Sequence, residues 1–215
     1  MSKNTIICNT TPPYQVVATG NGFGASTTTI NVTGITTSNI QLIVAAVASG
    51  STTTITDSKG NVYSGLPIAG SIIVKIFYML QPVVGPTMSF TLTSPNLSAA
   101  VYIVQGPNPP IPAFDTQNNN GAFSGGSTTN TGNITPAFNG DFILAAASTG
   151  TGTTGTASTI SGWTLTNLPF RAGVAQGLIV YYQSQQYRST VSITFSAGAG
   201  STLNVFGASI GAWSN

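Results

Sequence analysis

Along much of the chain, apolar and polar residues alternate one by one. The clearest segments are 28–33, 87–93 and 191–195, in which the apolar residues stand two positions apart and most of the others are threonine or serine. A period of two places the apolar side chains on one face of a β-strand. Helical spacing is nearly absent, and β-branched threonine suits the pleated surface of a sheet. The pattern therefore predicts an all-β protein.

Three other segments, 42–48, 72–80 and 142–147, are apolar at odd and even positions alike. Strands of this kind are buried on both faces. We expect them to be central strands, with one face on the core and the other covered by a loop or a neighbouring subunit. Between the strands, the segment DSKGN (57–61) predicts a hairpin turn with Gly60 at a positive φ.

The order of these strands occurs twice. LIVAAVASG (42–50) matches FILAAASTG (142–150), and SFTL (89–92) matches SITF (192–195). One half cannot hide both faces of its sheet alone, whereas two halves laid face to face can. The repeat predicts an antiparallel β-sandwich, jelly-roll or immunoglobulin-like, built from two sequence-similar halves with pseudo-two-fold symmetry.

The predicted halves are residues 38–106 and 139–212, joined by a linker at 107–138, and together they form one sandwich over 36–215. Two separate small domains are the alternative, because the linker is long enough for either arrangement. Residues 1–35 are predicted to form an N-terminal arm with one or two extra strands. The alternative for this segment is an edge strand of the same sandwich.

The chain carries very little charge. Charged residues make up 4% of the sequence and the net charge is +2, against a usual charged fraction of about 25%. Low net charge favours association, so we expect a homo-oligomer or another protein partner, with a neutral extracellular surface as the alternative. Five scattered Lys and Arg residues form no basic stripe, which argues against nucleic-acid binding.

No set of side chains predicts a reaction, and we expect the protein not to be an enzyme. The sequence has no His, one cysteine (Cys8) and three acidic residues, Asp57, Asp115 and Asp141. The usual base of a catalytic triad is missing, and zinc lacks suitable ligands. Asp57 and Asp141 are expected to be structural, in a turn and at a strand start. We therefore predict no catalytic, cofactor-binding or metal-binding residues.

The first fifteen residues lack the basic region and apolar run of a signal peptide. The most hydrophobic stretches, near 40–48 and 72–80, are too short to cross a bilayer as helices. We therefore expect a protein made in the cytoplasm and not bound to a membrane.

Several turn and strand motifs follow one another in a set order: DSKGNVY (57–63), IFYM (76–79), MSFTLTS (88–94), VYIVQG (101–106), PAFD (112–115) and NGDFILAAA (139–147). In this order the chain resembles a recurrent β-sandwich module of phage virion proteins and bacterial surface proteins, over most of residues 38–212. The resemblance implies a virus-particle structural protein, most specifically a decoration (cement) protein on the outside of a bacteriophage capsid.

On this reading the protein is located in the virion and its partner is the phage major capsid protein or another virion protein. The segment expected to dock is the N-terminal arm, with these residues in contact: Thr5, Ile6, Ile7, Tyr14, Val16 and Val17.

The alternative function is a carbohydrate- or receptor-binding module of a phage fibre or cell-surface protein. Trp163 and Tyr182 are the candidates for stacking on a sugar ring. Tyr181 and Tyr182 are adjacent and must face opposite sides of their strand. An enzyme that uses the three aspartates is the least favoured alternative.

Overall fold

The computed structural model describes residues 14–35, 39–51, 53–70, 73–106, 112–120, 127–150, 157–168, 177–184, 189–196 and 205–214. All regular structure in these ranges is β-strand, which confirms the predicted all-β class. None of these ranges holds a helix able to span a membrane.

The strands belong to two sets that follow the two halves of the chain. The first set is β1 (Gln15–Gly24), β2 (Thr27–Thr33), β3 (Ile40–Ser49), β4 (Thr54–Asp57), β5 (Ser64–Gly65), β6 (Ile73–Leu80), β7 (Thr87–Thr93) and β8 (Leu97–Gln105). The second set is β9 (Ala113–Asn119), β10 (Thr128–Asn130), β11 (Phe142–Thr149), β12 (Thr164–Leu168), β13 (Gly177–Ser184), β14 (Thr194–Ser196) and β15 (Val205–Ser214).

Each half builds one large and one small antiparallel sheet. The first large sheet has the order β1-β8-β3-β6-β5 and the second has β9-β15-β11-β13-β12. The first small sheet is β2-β7-β4 and the second is β10-β14. The two large sheets therefore share one topology, strand for strand. In the described residues, β1 and β2 of the first half correspond to β9 and β10, which lie inside the stretch 107–138.

The sheets stack in four layers with three cores between them. The central core lies between the two large sheets, and an outer core lies between each large sheet and its own small sheet. Across the central core β3 faces β11, β6 faces β15 and β8 faces β13. The packing of each large antiparallel sheet against its own small sheet confirms the predicted β-sandwich class.

Burial on both faces explains the strands that are apolar at every position. In β3, Leu42 and Val44 face the central core, while Ile43 and Val47 face the first outer core. The central position of β3 and β11 is confirmed. The cover expected on their second face, a loop or a neighbouring subunit, was wrong: a small sheet of the same half covers it.

The turn at 57–61 differs from its prediction in one respect. Gly60 has a φ of 75°, as expected. The turn is not a hairpin, because β4 pairs with β7 and β5 pairs with β6. It carries the chain from the first small sheet to the first large one.

A β-bulge occurs at the same place in both large sheets. The pairing of β1 with β8 passes from Val16–Val104 to Ala18–Ile103 and leaves Val17 as the extra residue. In the second half, the pairing passes from Phe114–Trp213 to Thr116–Ala212 and leaves Asp115 as the extra residue. A bulge bends the strand and re-aims a side chain, so the two halves place Val17 and Asp115 at equivalent points.

Candidate functional site

The described residues bring two carboxyl groups together where β9, β15 and β11 lie side by side. Asp141 directly precedes β11, and Asp115 is the bulge residue of β9. Asp141 is 0% exposed, and no hydrogen-bond donor among the described residues reaches either of its carboxylate oxygens. The half-buried carboxyl of Asp115 lies within hydrogen-bonding reach of it. The pair is thus an acid with no donor beside a second acid.

Asp115 itself is held as a hydrogen-bond acceptor. Its Oδ2 accepts a hydrogen bond from the backbone N–H of Ala137 at 2.7 Å. Burial raises the pKa of Asp141, and the hydrogen bond and charge of Asp115 raise it further, to about 7. A proton on Asp141 can be donated to Asp115, which satisfies both groups, whereas two carboxylates in contact repel each other. The arrangement is therefore suited to holding one proton.

Tyr14 brings the first half of the chain to this pair. Its side chain is buried, and its hydroxyl donates to the backbone oxygen of Ser214 at 2.8 Å. Its ring meets the edge of Phe142, with 6.3 Å between centroids. Burial, and then the negative charge of Asp141, raise the pKa of Tyr14. Tyr14 therefore ties the start of β1 to the end of β15, next to the carboxyl pair.

Gly106 allows this close approach. A Cβ atom at residue 106 would lie 2.3 Å from Oε1 of Gln41 and 2.6 Å from a ring carbon of Tyr14. Real side chains do not approach so closely, so any larger residue would displace Tyr14 or Gln41. Gln41 directly precedes Leu42, as Asp141 precedes Phe142, and the two residues are equivalent in the repeat.

Asp57 has the opposite environment. Its Oδ1 accepts backbone N–H groups from Lys59 at 2.8 Å and Asn61 at 3.2 Å, and its Oδ2 accepts the Tyr63 hydroxyl at 2.6 Å. Burial raises the pKa of Asp57, but the hydrogen bonds of Tyr63, Asn61 and Lys59 outweigh burial and hold the pKa below its usual value. Asp57 therefore stabilises the turn, as predicted. Unlike Asp141, it has hydrogen-bond donors that stabilise its charged form.

The predicted docking residues are divided between the fold and the undescribed segment. Tyr14 and Val16 pack against the central core, and Val17 packs against the first outer core. Thr5, Ile6 and Ile7 lie outside the described residues.

The two predicted sugar-stacking residues do not come together. Tyr182 packs in the central core against Tyr102 and Phe142, while Trp163 packs against the second outer core. Tyr181 and Tyr182 face opposite sides of β13, as predicted. Because both faces of the sheet are covered, neither ring is directed outward as the alternation alone would imply.

Three exposed apolar side chains lie at the end of the sandwich where β3 and β11 begin. Val62 is 81% exposed, Val83 is 63% exposed and Phe138 is 55% exposed. The side chain of Asn61 bonds both the N–H and the carbonyl of Val83, at 2.8 and 2.9 Å. We call this set of three residues the apolar end. Two more exposed apolar residues, Phe23 and Ile68, lie toward the opposite end of the strands.

Sequence reasoning missed the carboxyl pair because it weighed each aspartate alone. Contact between Asp115 and Asp141 depends on β15 lying between β9 and β11, and on a bulge in β9. The signal that could have found the pair is the repeat itself, extended back to β1 and β9. In that alignment Asp115 is equivalent to Val17, and Asp141 is equivalent to Gln41.

Comparison of the chain with protein-family models, with curated proteins and with solved structures gives no match. Within the described ranges, no group of three or more His, Cys, Asp or Glu side chains is placed to hold a metal ion.

Proposed function

We propose that this protein is a non-enzymatic structural component of a virus particle, a decoration protein that binds the outside of a phage capsid. The observation that carries this proposal is the apolar end: Val62, Val83 and Phe138 are each exposed at the same end of a sandwich with few charges. An exposed apolar surface of this kind is typical of an interaction site.

Part of the apolar end is preorganised by hydrogen bonds. Asn61 fixes the backbone at Val83, and Asp57 in turn accepts a hydrogen bond from the Asn61 amide at 2.8 Å. A segment already held in one conformation loses less entropy when it binds. Affinity would come from apolar area, at roughly 25 cal/mol per Å² removed from water, and would depend little on salt.

Tyr14, the residue before β1, lies at the same end of the sandwich. Tyr14 is the first described residue, and it contacts Phe142 and Ser214, which lie where β11 begins and β15 ends. Thr5, Ile6 and Ile7 lie outside the described residues, and the docking role predicted for them remains part of this proposal.

The direct test is purification of phage particles from the source of the chain, with mass spectrometry and cryo-electron microscopy of the particles. We expect the chain at many copies, with the apolar end toward the shell. A chain absent from particles, or present at only a few copies, would contradict the decoration role.

Variants localise the contact. The double change Val62→Ser and Val83→Ser should reduce the amount of protein retained on washed particles. Ile68→Ser, at the opposite end, is the matched control and should leave retention unchanged. Equal losses for both variants, or release by high salt alone, would contradict docking through the apolar end.

The carbohydrate- or receptor-binding alternative has less support, because Trp163 and Tyr182 pack in different cores. A glycan array distinguishes the two functions. Binding of a defined glycan that is lost in Trp163→Ala or Tyr182→Ala, but not in Ile68→Ser, would favour the alternative.

A further inference from the structure

We propose that Asp115 and Asp141 form a proton-operated latch between the two halves of the chain, which holds Tyr14 and the start of β1 against the second half while the pair keeps its proton. This role concerns the regulation of the fold and stands whether or not the protein binds a capsid.

The geometry gives the latch its parts. Asp141 has no exposed surface and, within the described part of the chain, no donor on either oxygen, and its neighbour Asp115 is fixed as an acceptor by the N–H of Ala137. A shared proton turns this contact into a hydrogen bond. Without the proton, the buried charge of Asp141 lies beside the negative charge of Asp115, which is unfavourable unless water enters or the groups separate.

Tyr14 is the element that can yield. It is held to the second half by its hydroxyl bond to Ser214 and by its ring contact with Phe142, both beside the pair. Ser214 is itself paired with Ala113, two residues before Asp115. Strain at the carboxyl pair therefore reaches the end of β15, which carries the acceptor for Tyr14.

Few ionisable groups of the described ranges face Asp141. Asp115 comes from β9 and Tyr14 from the residue before β1. Residues 131–140, β3 and β15 carry no ionisable side chain. β13 carries Tyr181 in the second outer core and Tyr182, which touches Phe142. None of these neighbours is a cation that could compensate an ionised pair.

The direction of the effect follows from the pKa. Burial and Asp115 raise the pKa of Asp141 to about 7 in the folded chain, above its ordinary value of 3.8. The folded state then binds the proton more tightly than the unfolded chain. The stabilisation is complete below about pH 4 and is lost as the pH rises to about 7. We expect the latch to be closed in acid and loosened above neutral pH.

Amide hydrogen exchange of the full chain, followed by mass spectrometry and normalised to intrinsic rates, measures the latch. Between about pH 5 and about pH 8, protection at the start of β1 and of β9 should fall by at least about tenfold in the wild type. Protection in β7, which lies in the first small sheet away from the pair, should not change.

Two variants make the measurement decisive. Asp141→Asn should abolish the pH dependence at β1 and β9, and Asp57→Asn, the matched control in the first half, should retain it. Asp115→Asn removes the neighbouring charge and acceptor, so the transition should move to lower pH; this variant decides the matter if Asp141→Asn does not fold. An unchanged pH response in Asp141→Asn, or no response in the wild type, would overturn the latch.

Calcium chloride provides a further arm of the test. If millimolar Ca²⁺ at about pH 8 restores protection in the wild type but not in Asp141→Asn, the pair is a cation site and the latch is wrong. No effect of Ca²⁺ together with the pH response supports proton binding.

Discussion

The two halves of the chain share one strand order but place different chemistry ahead of their central strands. The first half has Val17 at its bulge and Gln41 before β3, whereas the second has Asp115 and Asp141 at the equivalent positions. Because the first half forms the same topology with uncharged residues, the fold does not require the two acids. Burying them is costly, which points to a role other than building the sandwich.

The halves also differ where they meet in the central core. Tyr102 in β8 and Gly211 in β15 hold equivalent positions beside Val44 and Leu144. Two residues further along each strand, Val104 in the first half is equivalent to Trp213 in the second half. The ring of Trp213 lies over Gly211. A large residue in one half thus corresponds to a small one in the other. The two large sheets therefore present different side chains to the central core and pack in a complementary way, although their strand topology is the same.

The largest expected effect on stability comes from a substitution in the central core. Trp213 is fully buried and lies against Tyr78, Phe114 and Phe142. Trp213→Ala should lower the free energy of unfolding by about 3–5 kcal/mol. Val104→Ala at the equivalent position should lower it by only about 2 kcal/mol. Urea unfolding of both variants measures the difference, and equal losses would show that the halves contribute alike.

The carboxyl pair should give the second half a pH dependence that the first half lacks. As the pH rises from about 4 to about 7, the wild-type free energy of unfolding should fall by about 1.4 kcal/mol per pH unit, since the folded chain keeps a proton that the unfolded chain releases. Asp141→Asn should remove this slope. Urea unfolding across the pH range measures this slope. If Asp141→Asn kept the wild-type slope, the pH dependence of stability would come from another group.

A smaller loss of stability should follow from a larger residue at Gly106, which lies beside Tyr14 and Gln41. Gly106→Ala pushes a methyl group into Tyr14 and Gln41, and overpacking of this kind costs about 1–3 kcal/mol. The control is Gly50→Ala, because a Cβ there would lie at an ordinary 3.5 Å from the backbone oxygen of Pro95. Thermal unfolding should separate the two variants, and identical melting temperatures would argue against tight packing around Tyr14.

Much of the fold could be predicted because its signals are local. Alternation located strands such as β2 and β7, and apolar runs located β3 and β11 as buried strands and β6 as a partly buried one. The small second sheet of each half was not predicted as the cover of those strands. The strand β10 has three residues, too few for a periodic pattern.

The candidate site could not be predicted in the same way. Asp115 and Asp141 are distant in sequence, and they lie close together because β15 pairs with both of their strands and Asp115 is the extra residue of a bulge. The apolar end likewise depends on Asn61 reaching Val83 across two loops. Pairings of this kind depend on tertiary structure and leave no periodic signal.

The pair itself can be observed directly, since the chain has three Asp residues and no Glu. A ¹³C NMR titration of the side-chain carboxyl groups, assigned with Asp141→Asn and Asp57→Asn, follows each acid separately. We predict that Asp141 titrates at about pH 7 and that Asp57 titrates below its ordinary value of 3.8. Three carboxyl groups that all titrate at ordinary aspartate values would contradict a buried, proton-sharing pair in the second half.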